Sequence, residues 1–327
     1  MTTPPSGTPP RAAIIVNPAK ANVSKLRSAI ARAEAAGGWA ESLWLETTTE
    51  DIGHAQAREA LDAGADLVVA AGGDGTVRAV AETLSGSAAS FAIIPSGTGN
   101  LFARNVDLNS LSVEEAVRVA FAGVDRPIDL GMIEFERPDG ERRKHGFLVM
   151  AGLGIDAQMV ANTNPELKKR VGWLAYVDAI ARSLRDPRRI RLRAQLDDRP
   201  PRATMVHSLL IGNCGMLPGH ITLLPDAKLD DGRFDIVTLR PHGFFGWVRV
   251  WVALVWENGV LRRSTVGRKM MSSGRRVRVL RYLQGERLTV RLERPDQMEV
   301  DGDSIGDVIA FRAWVEPGAL TLRLAAD

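Results

Sequence analysis

Nearly every apolar run in the first third of the chain is followed by a segment with helical periodicity. This alternation restricts the fold more than any other feature of the sequence. AAIIVNP is a strand ended by a turn, and VSKLRSAIARAEAAG a helix closed at Gly37. WAESLWLETT then reads as a strand and DIGHAQAREALDAG as a helix. ADLVVAAGGDG is strand then loop, TVRAVAETL a helix, SFAIIPSGTGN strand then loop, and VEEAVRVAFAG a last helix. Strands alternating with helices predict a parallel sheet covered on both faces. Such sheets bind ligands beyond the carboxyl ends of their strands. Three loops of unusual composition fall at such ends: Asn17-Pro18, Gly72 to Thr76, and Pro95 to Asn100.

From about Arg126 the pattern changes. IDLGMIEF, KHGFLVMAG, RIRLRAQL, TMVHSLLIGN, RFDIVTLR, RVRVLRYL, RLTVRL and MEVDGD follow one another as strand-like runs, many separated by glycine or proline turns. They predict an antiparallel β-sandwich with a few helical insertions. At 327 residues the chain exceeds a usual single core, so two domains are expected. The expected division is a disordered tail over 1–10, an α/β nucleotide-binding domain over 11–127 and a β-rich domain over 128–312. Residues 313–327 are a candidate return to the first domain.

Composition excludes several classes. Apolar residues make up 45% and charged residues 25%, as in a soluble globular protein. The net charge of +3 is too small to point to nucleic acid, although arginines cluster at Arg182 to Arg193 and Leu261 to Arg281. A single cysteine, Cys214, excludes an intrachain disulfide and a Cys-rich zinc site, in keeping with a cytoplasmic setting. No run reaches the ~18 apolar residues of a membrane span, and the Pro/Thr-rich start lacks the layout of a signal peptide.

Gly72-Gly73-Asp74-Gly75-Thr76 sits between a strand and a helix. Glycines let backbone amides approach phosphate oxygens, and a helix N-terminus adds partial positive charge. The Gly-Lys-Ser/Thr of the Walker pattern is missing. Alone, the segment is equally a glycine turn whose aspartate caps a helix. A second loop, Pro95-Ser96-Gly97-Thr98-Gly99-Asn100, and Asn17-Pro18 at further strand ends shift the balance toward a nucleotide site. Gly152 to Ala157 matches G-x-G-x-x-A, but it lies in the β-rich half without a clean βαβ unit, so it reads as a glycine-lined turn and not as a dehydrogenase fingerprint.

Eight segments in order resemble the diacylglycerol kinase catalytic-domain family, bacterial lipid kinases related to sphingosine kinases. They are VNP at 16–18, TEDIGHA at 49–55, GGDGTV at 72–77, IPSGTGNLFAR at 94–104, AGLGIDAQMV at 151–160, KKRVGWLAY at 168–176, LLPDAKLDDGRFDIV at 223–237 and MEVDGDSIG at 298–306. The resemblance implies ATP held by Asn17, Pro18, Thr49, Gly72, the stretch Gly73, Asp74, Gly75, Thr76, Val77, Arg78 and Ala79, and Gly97, Thr98 and Asn100. It implies that Asp74 faces the phosphates through Mg2+ and that Asp301 is the catalytic base. It also implies a second Mg2+ on Asp231 with the carbonyls of Lys228 and Arg233, a donor set suited to a cation that keeps several waters. The third residue of the family's Asp-Gly-Glu is here Asp303, one methylene shorter, and Leu101 stands where the family often has aspartate.

A carboxylate in reach of a lipid hydroxyl can take its proton as it attacks the γ-phosphate. Because Asp74 and Asp301 fall in different predicted domains, the cleft between them is the expected active site. The lipid substrate is expected at a membrane surface, with the protein cytoplasmic or peripheral at the inner face and a homodimer a candidate assembly. Phe244 to Arg263 places Trp247, Val250, Trp251, Leu254 and Val255 on one helical face, which reads as core packing slightly ahead of an interfacial helix. Two rival functions stay open: an NAD-kinase-like enzyme, which also carries a GGDG loop, and a lipid- or nucleotide-binding regulator without turnover.

Overall fold

A computed structural model describes residues 8–154, 189–217, 221–239 and 280–326. The chain divides into two compact units, residues 1–130 with 318–327, and residues 131–317.

The first unit runs β1 (Ala12–Val16), α1 (Val23–Gly37), β2 (Leu43–Glu46), α2 (His54–Asp62), β3 (Leu67–Gly72), α3 (Asp74–Leu84), β4 (Ser90–Pro95), α4 (Leu101–Asn105) and α5 (Val113–Ala122). Its strands pair in parallel in the order β4-β3-β1-β2. Every residue of β1 and β3 is buried, which is why these strands read as unbroken apolar runs and not as alternation. One face of the sheet packs on α1 and α5 through Ile14, Leu67, Val69, Leu26, Ile30, Val117 and Phe121. The start of α5 is fixed by a capping box between Ser112 and Glu115, which satisfies orphan amides at both ends of the exchange.

The second unit carries β5 (Val124–Glu136), β6 (Arg142–Phe147), β7 (Met150–Leu153), β8 (Ile190–Leu196), β9 (Arg202–Val206), β10 (Ser208–Gly212), β11 (Met216–Leu217), β12 (Ile221–Thr222), β13 (Phe234–Leu239), β14 (Leu280–Gly285), β15 (Arg287–Val300) and β16 (Asp303–Leu324). β5 begins in the first unit, and the last residues of β16 return to it, where Thr321 and Leu322 pair in parallel with β4. Within the second unit β14-β13-β10-β7-β15-β16 follow one another, with β8 and β9 extending from β15. Its core gathers Phe135, Phe147, Phe234, Val290, Met298 and Phe311. The expected α/β plus antiparallel β-sandwich architecture is the one observed.

Several elements differ from the sequence reading. TMVHSLLIGN forms two strands, because β9 pairs with β8 while β10 pairs with β7 and β13; His207 between them donates its amide to Leu239. RLTVRL and MEV form one strand, β15, with a register shift between Arg291 and Asp296. The helix expected from Thr76 begins at Asp74, so Gly75 and Thr76 belong to its first turn. The stretches 168–176 and Phe244 to Arg263 lie outside the described residues, as does most of the Arg182 to Arg193 cluster.

Candidate active site

Three strand-end loops of the first unit meet at the carboxyl edge of its sheet. Asn17 follows β1 and donates its amide to the carbonyl of Ala71 on β3, 2.9 Å away. Its side chain closes a turn by accepting from Ala19 N at 3.1 Å, and its carbonyl accepts from Lys20 and Ala21. Ser96, after β4, donates to Gly72 O at 2.9 Å.

The glycines are there because the loops touch. A Cβ on Gly97 would lie 2.7 Å from the Cα of Gly73, and one on Gly73 would lie 2.9 Å from the Lys20 ammonium. One on Gly99 would lie 2.7 Å from an Asp74 carboxylate oxygen. Gly73 makes no side-chain cap at the start of α3, and the Asp74 carboxylate interacts with its own amide there. The remaining first-turn amides are candidates to meet an anion, beside the Lys20 charge. Lys20 was not among the residues expected from sequence. The signal for it was a lone cation three positions past Asn17, in a loop already singled out.

The other expected nucleotide residues fall into two groups. Pro18, Thr49 and Thr98 are exposed on loops, with the Thr49 hydroxyl donating to Glu50 at 2.7 Å. Thr76, Val77, Arg78 and Ala79 are buried in α3, and the Thr76 side chain fills the space against Gly72. Asn100 takes a positive φ of 47°. Its side chain holds the second glycine loop by accepting from Gly97 N and donating to Gly97 O, both at 2.9 Å, and donating to Asn109.

Asp74, expected to face phosphates, directs its carboxylate at the second loop. It accepts the amide of Leu101, with the amides of Asn100 and Phe102 also interacting. Burial pushes its carboxyl up from the usual range, and those amides pull it partly back. The side chain therefore joins the two glycine loops.

The Asp-Gly-Asp segment of the second unit is a hairpin turn. Val300 pairs with Asp303 across it, and Asp301 and Gly302 have φ of 48° and 88°. Positive φ at both central residues is the two-residue turn that Asp-Gly favours. Asp301 is buried, and its carboxylate accepts the amides of Leu148, Val149 and Met150 at 2.8, 2.9 and 2.9 Å. Its own amide donates to Met150 O. Asp303, by contrast, is exposed. Cys214 lies nearby, donating its thiol to Leu148 O at 3.2 Å; burial, with Asp301 adding to it, pushes that thiol well up. It is a packed core cysteine and not a nucleophile.

Asp231, Lys228 and Arg233 are exposed on the loop before β13, and Asp231 accepts the amide of Arg233 at 3.1 Å. Burial, and then the charges of Asp231 and Asp226, push the buried Asp235 carboxyl up against the pull of Gln284. One carboxylate with neighbouring carbonyls, in a locally negative setting that a cation would relieve, suits Mg2+. Among the described residues no three His, Cys, Asp or Glu side chains group as a metal site, so most of the ligands would be carbonyls and water. Gly152, expected in a glycine-lined turn, is not in one: it sits inside β7, paired with Leu210 and Glu299 on the two neighbouring strands. It is glycine because a Cβ would meet Leu210. Gly154 follows the strand with positive φ against the His207 carbonyl, and 155–157 lie outside the described residues. No helix among the described residues is long and apolar enough to cross a membrane.

Known proteins support the same architecture. The family described as diacylglycerol kinase catalytic domain matches residues 11–133, and the YegS C-terminal NAD kinase beta sandwich-like domain matches residues 149–324. A Stenotrophomonas maltophilia protein named "Probable lipid kinase YegS-like" is 31% identical, over 98% of this chain and 97% of its own length. The Bacillus subtilis diacylglycerol kinase is 29% identical over 73% of this chain and 77% of its own. In fold, the chain is similar to a diacylglycerol kinase structure from Bacillus anthracis, with TM-score 0.63, 18% identity and 96% of each chain covered. With one domain matched in each half and relatives aligned along its whole length, the chain belongs to the diacylglycerol kinase catalytic-domain family of lipid kinases.

Proposed function

We propose that this chain transfers the γ-phosphate of ATP to a lipid hydroxyl, with diacylglycerol or a related lipid as acceptor. The observation that carries the proposal is the contact between the two glycine loops, with the Lys20 ammonium and the start of α3 beside it. That surface brings the backbones of both loops and one cation together, and it leaves no room for side chains.

In the transfer, the lipid oxygen forms a bond to the γ-phosphorus as the bond to the β-phosphate oxygen breaks, and ADP leaves. The charge that develops on the phosphoryl oxygens is stabilised by fixed donors, here the α3 amides and Lys20. Asp74 contributes by holding the Asn100 to Phe102 segment against the first loop. The hydroxyl proton passes to a carboxylate. The resemblance gives the role to Asp301, but Asp301 is buried under the 148–150 amides while Asp303 on the same hairpin is exposed. We therefore assign the acceptor role to the solvent-accessible Asp303, with Asp301 shaping the hairpin that presents it. Bound Mg2+ would neutralise phosphate charge, and Asp231 with the carbonyls of Lys228 and Arg233 would hold a further ion that orders the loop before β13.

The test is phosphorylation of purified lipids in detergent micelles with ATP and Mg2+, read by mass, with NAD as a parallel acceptor. Wild type is expected to phosphorylate a lipid and not NAD, and Asp303→Asn to lose the activity while keeping ATP binding. Transfer to NAD would overturn the acceptor class. ATP binding without transfer to any lipid would make the chain a regulator.

A further inference from the structure

Strands β9, β8, β15 and β16 lie side by side in the second unit, and the two faces of this sheet differ sharply. Ile190, Leu192, Leu288, Val290, Leu292 and Phe311 point into the core. The residues between them point out: Arg191 and Arg193 on β8, Arg287 and Arg291 on β15, and Arg312 on β16, all exposed. Glu293 alternates onto the same face, 3.6 Å from Arg191, with both side chains more than half exposed, and Glu316, two positions past Trp314 on β16, is paired with Lys144 at 3.5 Å. Five arginines therefore share one face with two glutamates, one of them already paired with Lys144.

The register makes the arrangement costly. Arg193 stands directly opposite Arg291, and like charges in directly opposed cross-strand positions are destabilising. An apolar residue is exposed beside them: Met205 on β9, opposite Arg191, is 40% exposed. The fold tolerates cation repulsion and an exposed thioether on a broad, regular surface. A planar anionic partner would relieve the first and cover the second.

We propose that this sheet face docks the protein on anionic phospholipid, the arginines meeting headgroup phosphates and Met205 entering the interface. The occupant is chosen on two grounds. The face is a sheet surface and not a helix or ribbon shaped for a nucleic-acid groove, and the lipid-kinase reading, on which this inference rests, requires access to a bilayer. Basic residues near an anionic leaflet each add to surface partition, and salt weakens the effect.

The experiment is flotation of the full chain, without ATP, on phosphatidylcholine vesicles with and without phosphatidylglycerol, at low and high ionic strength. Wild type is expected to float only with phosphatidylglycerol and to detach at high salt. Arg193→Gln/Arg291→Gln is expected to bind about thirtyfold more weakly. Arg193→Lys/Arg291→Lys, which keeps the charge, should bind like wild type. Melting temperatures at or above that of wild type would show that both variants fold. Equal flotation on both vesicle types, or undiminished binding by the glutamine variant, would overturn the proposal. Failure to bind vesicles, with arginine-dependent retention of a nucleic-acid duplex, would assign the face to nucleic acid. Because flotation needs no turnover, its failure is distinct from failure of the micellar kinase assay.

Discussion

At the residue scale, the two aspartates of one hairpin have different surroundings. Asp301 serves three amides from within the core. An asparagine there offers one oxygen where the carboxylate offers two, so at least one buried amide loses its acceptor. Each such loss costs about 1–3 kcal/mol. Asp301→Asn is therefore expected to lower the melting temperature by several degrees in calorimetry, whereas Asp303→Asn, on an exposed side chain, should leave it near wild type while removing activity. Asp303→Glu restores the longer carboxylate usual in the family and should retain transfer. The sequence placed a pair of carboxylates in this hairpin. It could not say which one is buried, because that depends on the 147–150 segment, some 150 residues earlier in the chain.

At the element scale, the glycine loops form one unit only because their backbones touch. Gly97→Ala sets a methyl 2.7 Å from the Gly73 Cα, and overpacking of this kind typically costs about 1–3 kcal/mol. The loops must separate, so the KM for ATP should rise markedly in steady-state assays, with less change in kcat. The capping box of α5 offers an independent check on stability. Ser112→Ala removes the acceptor for Glu115 N, at a cost of about 1 kcal/mol, measurable by urea denaturation and without effect on nucleotide binding. Both glycine loops were legible in the sequence, since each depends on residues within a few positions. The division of TMVHSLLIGN into two strands was not legible, because it is set by pairing partners far away in the chain.

At the scale of the whole molecule, the chain's end completes the first unit. Arg323 on β16 donates to Asp125 from Nε at 2.7 Å and from its terminal nitrogen at 2.8 Å, and Ser90 on β4 donates to the same carboxylate. Arg323, and then Ser90, hold the Asp125 carboxyl below its usual range against the opposing effect of burial. A depressed native value means the stabilisation is present above the unfolded value of about 3.9 and is lost as pH falls through the native one. Asp125→Asn should thus melt below wild type at neutral pH, and the two melting curves should converge at acid pH.

By itself, the sequence determined the α/β-then-β architecture, the strand-end position of the glycine loops and the family. These rest on local periodicity, on turn chemistry and on the order of motifs, all carried by neighbouring residues. Only the tertiary structure decided that Lys20 lies over Gly73, that Asp74 joins two loops, that Asp301 is buried while Asp303 is exposed, and that Arg193 faces Arg291. Each of these depends on the register and close approach of segments distant in the chain, where a shift of one residue turns a side chain to the opposite face of its strand.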